Sequence, residues 1–246
     1  MKYDIISTGS AGNAVVINDK ILIDCGVPFK KLKPVVKGLK LVLLTHVHSD
    51  HFKPSTAATL HRERPALRFG CCEWMVEPLL KSGVSKRVID VYDLEYGRVY
   101  NSGRTIVFPV ALTHNVKNCG YCILDNFEGL FYATDTSTLD GIKAPNCDLY
   151  MIEANHAKAE LEARVAEKKA AGEYSYEMDA ARNHLSREQA LDWLYQQMGP
   201  NSKYVFLHQH IDRKEATAHD SVDSSVLEPD SASEGNEPCG QSGAGQ

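Results

Sequence analysis

The chain has 246 residues, 43% of them hydrophobic and 24% charged, with 27 Lys and Arg against 32 Asp and Glu. This is globular composition, long enough for one large domain or two small ones, and its bulk charge excludes a strongly basic nucleic-acid binder. No apolar run approaches the ~18–20 residues of a membrane span, and the opening MKYDIISTGSAGN lacks a secretory apolar segment.

In chain order, Tyr3–Ser7, Ala14–Ile17 and Ile21–Asp24 read as short strands, separated by Gly-Ser-Ala-Gly-Asn and Asn-Asp-Lys turn chemistry. Phe29–Val36 reads as a short helix bearing Lys30, Lys31 and Lys33 and interrupted by Pro34. The run Lys40–Thr45 is nearly all apolar, as suits a strand buried on both faces. A His-rich loop follows, then helices near Ser55–Arg64 and Glu73–Ser82. Further strands are expected at Arg87–Val91, Thr105–Val110, Gly120–Leu124, Leu130–Ala133 and Leu149–Ile152. Ala157–Ala171 reads as a helix with Leu161 and Val165 at i,i+4, ended by Gly172. Ser186-Arg-Glu-Gln189 is a capping box, followed by Leu191, Leu194 and Met198 at helical spacing. Lys203–Leu207 is the last strand. Mixed strands and helices throughout imply a layered α/β domain.

Charge divides the chain again. Residues 213–246 hold two basic and seven acidic side chains and no Phe, Trp or Tyr. That composition predicts a disordered acidic tail, with residues 1–212 as a charge-neutral folded domain. The seven cysteines, an odd number without a secretory segment, fit reduced thiols and a cytoplasmic location. Cys119 and Cys122 have C-x-x-C spacing but no second pair to complete a zinc ribbon, so they are expected to be incidental.

Chemistry concentrates in Thr45-His46-Val47-His48-Ser49-Asp50-His51. A strand would point alternate side chains to opposite faces, whereas a loop at a strand end can fold them around one point. Imidazole and carboxylate suit zinc or similar divalent ions at roughly 2.0–2.2 Å. Four candidate ligands exceed the ~3 that one catalytic ion takes, so two ions are expected, completed from elsewhere. His114, Asp135 and His208 each follow a later apolar strand; His210 stands two residues beyond His208 and competes with it as the terminal ligand.

His46-x-His48-x-Asp50-His51, followed in order by His114, Asp135 and His208, resembles the metallo-β-lactamase-fold hydrolases, as does Leu22-Ile23-Asp24-Cys25-Gly26. The resemblance spans roughly residues 1–212. It implies a four-layer αββα sandwich with the site at one edge. His46, His48 and His114 would hold one metal, and Asp50, His51 and His208 the other. Asp135 would bridge them, the ions being zinc or manganese. Asp24 would orient the His loop from behind. Glu153 in Glu-Ala-Asn-His, and His184 before the capping box, resemble the phosphodiesterase branch that contains the tRNA 3′-processing nucleases. There the Glu supports a His acting as general acid. His156 is expected to be structural or exposed.

Within that branch, Gly9-Ser10-Ala11-Gly12-Asn13 resembles small bacterial exonucleases of the fold. The compact size and metal set resemble the phage anti-Pycsar cyclic-nucleotide phosphodiesterases, which silence host defence signalling and, for a phage protein, would act in the host cytoplasm. A neutral body favours a small nucleotide over a polyanion, whose phosphates need Lys and Arg. Lys30, Lys31, Lys33, Lys37 and Lys40 could form a local patch. Tyr121, Phe127 and Tyr132 are expected in the core. Tyr174 and Tyr176 sit where related compact enzymes complete a partner's site, so the resemblance implies a homodimer and no membrane association.

Overall fold

The computed structural model describes residues 1–95, 98–100, 104–171 and 182–208. Gly172, Tyr174, Tyr176, His210 and the expected acidic tail lie outside the described residues.

The first half forms β1 (Tyr3–Ser7), β2 (Ala14–Ile17), β3 (Ile21–Ile23), α1 (Phe29–Leu32), β4 (Leu41–Leu44), α2 (Pro54–Glu63), β5 (Arg68–Cys71), α3 (Val76–Lys81) and β6 (Ile89–Val91). The second half supplies β7 (Arg98–Tyr100), β8 (Thr105–Leu112), β9 (Asn118–Asp125), β10 (Glu128–Ala133), β11 (Leu149–Glu153), α4 (Lys158–Ala171), α5 (Arg187–Gln197) and β12 (Lys203–Leu207). Among the described residues these strands form two six-stranded sheets, ordered β1-β2-β3-β4-β5-β6 and β12-β11-β10-β9-β8-β7.

Side-chain alternation builds the layers. In β4, Leu41 and Leu43 face the cluster between the sheets, while Val42 and Leu44 face the cluster under the first helical layer. In β10, Leu130 and Tyr132 point between the sheets, while Phe131 points outward to Trp193 of α5. Full burial of such side chains is worth about 1.5–3 kcal/mol each, and the layers agree with the αββα order that the resemblance implied. Cys119 faces the inter-sheet cluster and Cys122 the outer one, so the C-x-x-C spacing brings no pair together.

Strand direction positions the site. Strands β3 to β6 run parallel, as do β10, β11 and β12, and β8 shares the direction of β10 because β9 is antiparallel to both. The chain therefore leaves β3, β4, β8, β10, β11 and β12 at one edge of the sandwich. At the other edge, buried Asp125 accepts hydrogen bonds from Asn18 Nδ2 (2.7 Å), Lys20 Nζ (2.7 Å) and Thr105 Oγ1 (2.6 Å), tying the sheets together.

Several expectations are corrected. Helix α1 stops at Leu32 because Pro34 has no N–H to continue the ladder. Residues Lys86–Val88 form a 3₁₀ turn ahead of β6. Phe127 is 97% exposed: Asn126 (φ 51°) and Phe127 (φ 73°) form the two-residue turn joining β9 to β10, which directs the ring outward. The buried face of α5 is Ala190, Trp193 and Leu194, with Leu191 40% exposed. Trp193 fills the outer core and its indole N–H reaches the Ile142 carbonyl (3.1 Å), and this outweighs the Leu191 register. Among the described residues no helix is long and apolar enough to cross a membrane.

Candidate metal centre

The expected ligands converge at the strand-end edge. His46 Nε2 lies 3.1 Å from His48 Nδ1, and His114 Nε2 lies 3.4 Å from the same nitrogen. The donor atoms of His46, His48 and His114 lie within 4.8 Å of one another, as do those of Asp50, His51 and His208. Asp135 stands between the groups. Its Oδ2 is 2.5 Å from His51 Nε2 and 3.6 Å from His46 Nε2, and its Oδ1 is 2.7 Å from His208 Nδ1.

Local backbone geometry makes this convergence possible. Asp24, Asp135 and His208 follow β3, β10 and β12 with φ of 60°, 56° and 52°. Left-handed backbone at non-glycine residues costs of order 1 kcal/mol or more each and clusters at functional sites. Gly26 packs so tightly under the His loop that a Cβ there would lie 1.7 Å from the Asp50 carbonyl oxygen. Asn13 ties the Gly-Ser-Ala-Gly-Asn loop to the same place. Its backbone N–H donates to the Asp50 carbonyl (2.6 Å), and its Nδ2 lies 2.8 Å from His51 Nε2. That role carries no signal in the sequence beyond the loop motif, because its partners lie 37 and 38 residues away. Thr8 carries no sequence signal for the same reason: its hydroxyl accepts a hydrogen bond from the His208 N–H at 2.8 Å, across 200 residues.

Behind the ligands sits a buried polar shell. Asp24 contacts His51 Nδ1 at 2.6 Å and Thr45 at 2.9–3.0 Å, as the orienting role requires. The His114 Nδ1–H donates to the Asn183 carbonyl at 3.2 Å. Such outer partners set which ring nitrogen faces a metal. Glu153 ends β11 wholly buried. Its Oε1 accepts from the N–H groups of Thr136 (2.6 Å) and Leu185 (3.0 Å), and its Oε2 meets His184 Nδ1 at 3.0 Å. His184 Nδ1 also lies 3.2 Å from Asp135 Oδ1. The Ser186 capping box, with Ser186 Oγ accepting from the Gln189 N–H, holds the segment next to His184. His156 is half-buried and bridges to Ser186.

Electrostatics differ around the cluster. Burial and the neighbouring His51 push His46 down to about 2, so it is neutral and offers a lone pair. Burial likewise lowers His114, against the pull of Asp135. Burial also opposes charge on His184 and His208, but the close carboxylates of Asp135 and Glu153 outweigh it and raise them to about 10 and about 9. Burial would raise Asp135, yet His51, His184 and His208 hold its carboxyl well below the usual range. Burial raises the Asp24 carboxyl against its bonds to His51 and Thr45, and we read the close Asp24–His51 pair as sharing one proton between Oδ2 and Nδ1.

The donor set fits divalent cations. Both Asp135 oxygens are buried without a well-aligned hydrogen bond although ring nitrogens surround them. The lowered rings of His46 and His114 have a lone pair to offer a cation beside that carboxylate. When chelation removes any bound metal, the raised values of His184 and His208 make protonation favour the folded chain. That contribution is complete below the ordinary histidine value of 6.5 and is lost as pH rises through about 9 to 10. The thermal midpoint of chelator-treated protein should therefore fall between those limits, less steeply in His184→Gln. Equal slopes in the two proteins would contradict this.

A family profile described as a β-lactamase superfamily domain matches residues 19–209. No curated protein matches the chain significantly. Among solved structures, the metallo-β-lactamase fold protein YhfI from Bacillus subtilis is similar at 19% identity and TM-score 0.60, over 87% of this chain and 91% of that one. Human tRNase Z, short form, is similar at 16% identity and TM-score 0.64, over 85% and 93%. A diphosphatase of the PhnP family is similar at 14% identity and TM-score 0.57, over 90% and 91%. At these identities the likeness establishes the shared fold.

Proposed function

The chain belongs to the β-lactamase superfamily domain family, and from that premise we propose that it is a two-metal phosphodiesterase that hydrolyses cyclic nucleotide monophosphates. The observation that carries the phosphodiesterase reading is the His184–Glu153 pair, 3.0 Å apart, set beside the converging metal donors. The similarity to tRNase Z and to a PhnP-family diphosphatase supports the same class of chemistry.

In this reading His46, His48 and His114 would hold one ion and Asp50, His51 and His208 a second, with Asp135 shared between them; zinc or manganese would fit the donors. Divalent ions held there would supply Lewis acidity, which makes water a better nucleophile near neutral pH and offsets negative charge on phosphoryl oxygens. Every remaining role belongs to the chain. The buried Glu153 carboxylate accepts the His184 Nδ1–H and favours the charged ring. The side chain is 19% exposed, and its Nε2–H, opposite the engaged Nδ1, is the group that would pass a proton to the departing sugar oxygen. Such general acid catalysis is worth about 10²–10⁴-fold. His184→Ala should lower kcat by that amount and leave metal content unchanged. Full activity in this variant would remove His184 from the mechanism.

The neutral body supports a small nucleotide, as does resemblance to the phage enzymes that counter host cyclic-nucleotide defence. A homodimer belongs to the same proposal. One observation favours a second reading, a DNA or RNA nuclease. Residues 25–72 carry nine basic and two acidic side chains, so neutrality of the whole conceals a local excess. Lys30, Lys31, Lys33, Lys37, Lys40 and Arg62 are exposed on this stretch, which leads out of the site through Gly26. A backbone of several phosphates would use such a face. A panel of cyclic mononucleotides, 3′-extended tRNA and linear double-stranded DNA, with manganese or zinc, separates the readings. Cleavage of the polymers without cyclic-nucleotide hydrolysis would establish the second over the first.

A further inference from the structure

We propose that Thr45 is a positioning residue that links the two groups of metal donors, because its hydroxyl transmits the orientation of Asp24 to His46. The inference rests on the reading that this cluster binds divalent metal. It follows from counting protons around one buried oxygen.

Thr45 is fully buried, and its backbone is held at both ends: its N–H donates to Asp24 Oδ1 (3.0 Å), and its carbonyl accepts from the Trp74 indole (3.1 Å). The hydroxyl oxygen lies 3.0 and 2.9 Å from the two Asp24 oxygens, 3.0 Å from His46 Nδ1 and 3.4 Å from His51 Nδ1, whose closer partner is Asp24 Oδ2 at 2.6 Å. A hydroxyl has one proton to give, and a carboxylate can only accept. The proton that Asp24 shares with His51 lies on the Oδ2 side, so Oδ1 remains an acceptor; the Thr45 proton goes to Oδ1, and Thr45 Oγ1 can only accept from His46. This places a proton on His46 Nδ1 and leaves its Nε2 lone pair facing His48 and Asp135. Asp24 Oδ2 does the same to His51 directly, engaging Nδ1 at 2.6 Å and leaving Nε2 toward Asp135. One carboxylate thus sets the tautomer of a histidine in each group, reaching His51 in one step and His46 through Thr45.

Threonine suits this task because its branched carbon limits rotation of the hydroxyl. Valine keeps the shape and removes the oxygen, and serine keeps the oxygen. Metal affinity measured by zinc or cobalt titration should fall about 10–100-fold for one of two equivalents in Thr45→Val, the loss typical of an outer-shell partner. Thr45→Ser should stay within about threefold of the native protein, on the same scale. Histidine ¹⁵N shifts of the metal-free native protein should show the proton of His46 on Nδ1, a readout that needs no variant to fold. A proton on Nε2, or Thr45→Val binding both equivalents as the native chain does, would overturn the inference. So would Thr45→Ser failing as Thr45→Val fails. Native protein that binds no divalent metal, while His46 still carries its proton on Nδ1, would instead overturn the metal reading and keep the proton placement.

Discussion

Asp135→Asn should strip the protein of metal and of hydrolytic activity while also weakening the metal-free fold. The carboxylate is 2% exposed and faces nitrogens of His46, His51, His184 and His208. Asparagine keeps the shape and removes the charge that these rings surround. An outer-shell change costs about 10–100-fold in metal affinity, and a group touching both sets of donors should cost more. In the metal-free chain the protonated partners lose their counter-charge, and breaking a buried pair costs about 3–5 kcal/mol. Metal content per chain and denaturant midpoints with and without chelator read both effects. An Asn variant with native metal content and native rate would show that Asp135 is not central.

Gly26→Ala should be the most damaging small substitution away from the donors themselves. Its added Cβ would lie 1.7 Å from the Asp50 carbonyl oxygen, 2.1 Å from the Asp50 carbonyl carbon and 2.6 Å from the His51 nitrogen. All three are backbone atoms in the His loop, so no side chain can swing aside. Overpacking costs about 1–3 kcal/mol and occasionally more, and contact with backbone belongs at the upper end. At roughly 2–4 °C per kcal/mol for a domain of this size, the thermal midpoint should fall about 6–12 °C. The loop must also shift, and a displacement of ~1 Å at a reacting centre can cost ~10²-fold in rate. Gly83→Ala is the control: Gly83 has φ of +94° with open space around it, so alanine there adds backbone strain of order 1 kcal/mol without touching the loop. Unchanged metal content and midpoint in Gly26→Ala would remove the close packing from the account of the site.

Much of the fold was legible because it is written in short periods. Leu41–Leu44 is apolar at every position and lies buried on both faces. Ser186 and Gln189 cap each other three residues apart. Where local rules failed, a stronger local or tertiary term had intervened. Pro34 ended α1 early, a tight turn expelled Phe127, and the packing of Trp193 set the face of α5. The three residues of β7 carry too short a pattern to stand out from a loop; pairing with β8 defines them.

The sequence by itself determined the layered class, the strand-end placement of the candidate donors and the clustering of histidine and aspartate after β4. These follow from residue type and spacing. Only the tertiary structure decided that His114, Asp135 and His208 meet that loop, because strand direction brings their strand ends to one edge. It alone revealed the supports behind them: Asp24 on Thr45 across 21 residues, Asn13 on the Asp50 carbonyl across 37, and Thr8 on His208 across 200. A hydrogen bond depends on separation in space and on angle, and neither is encoded in any periodic pattern along the chain.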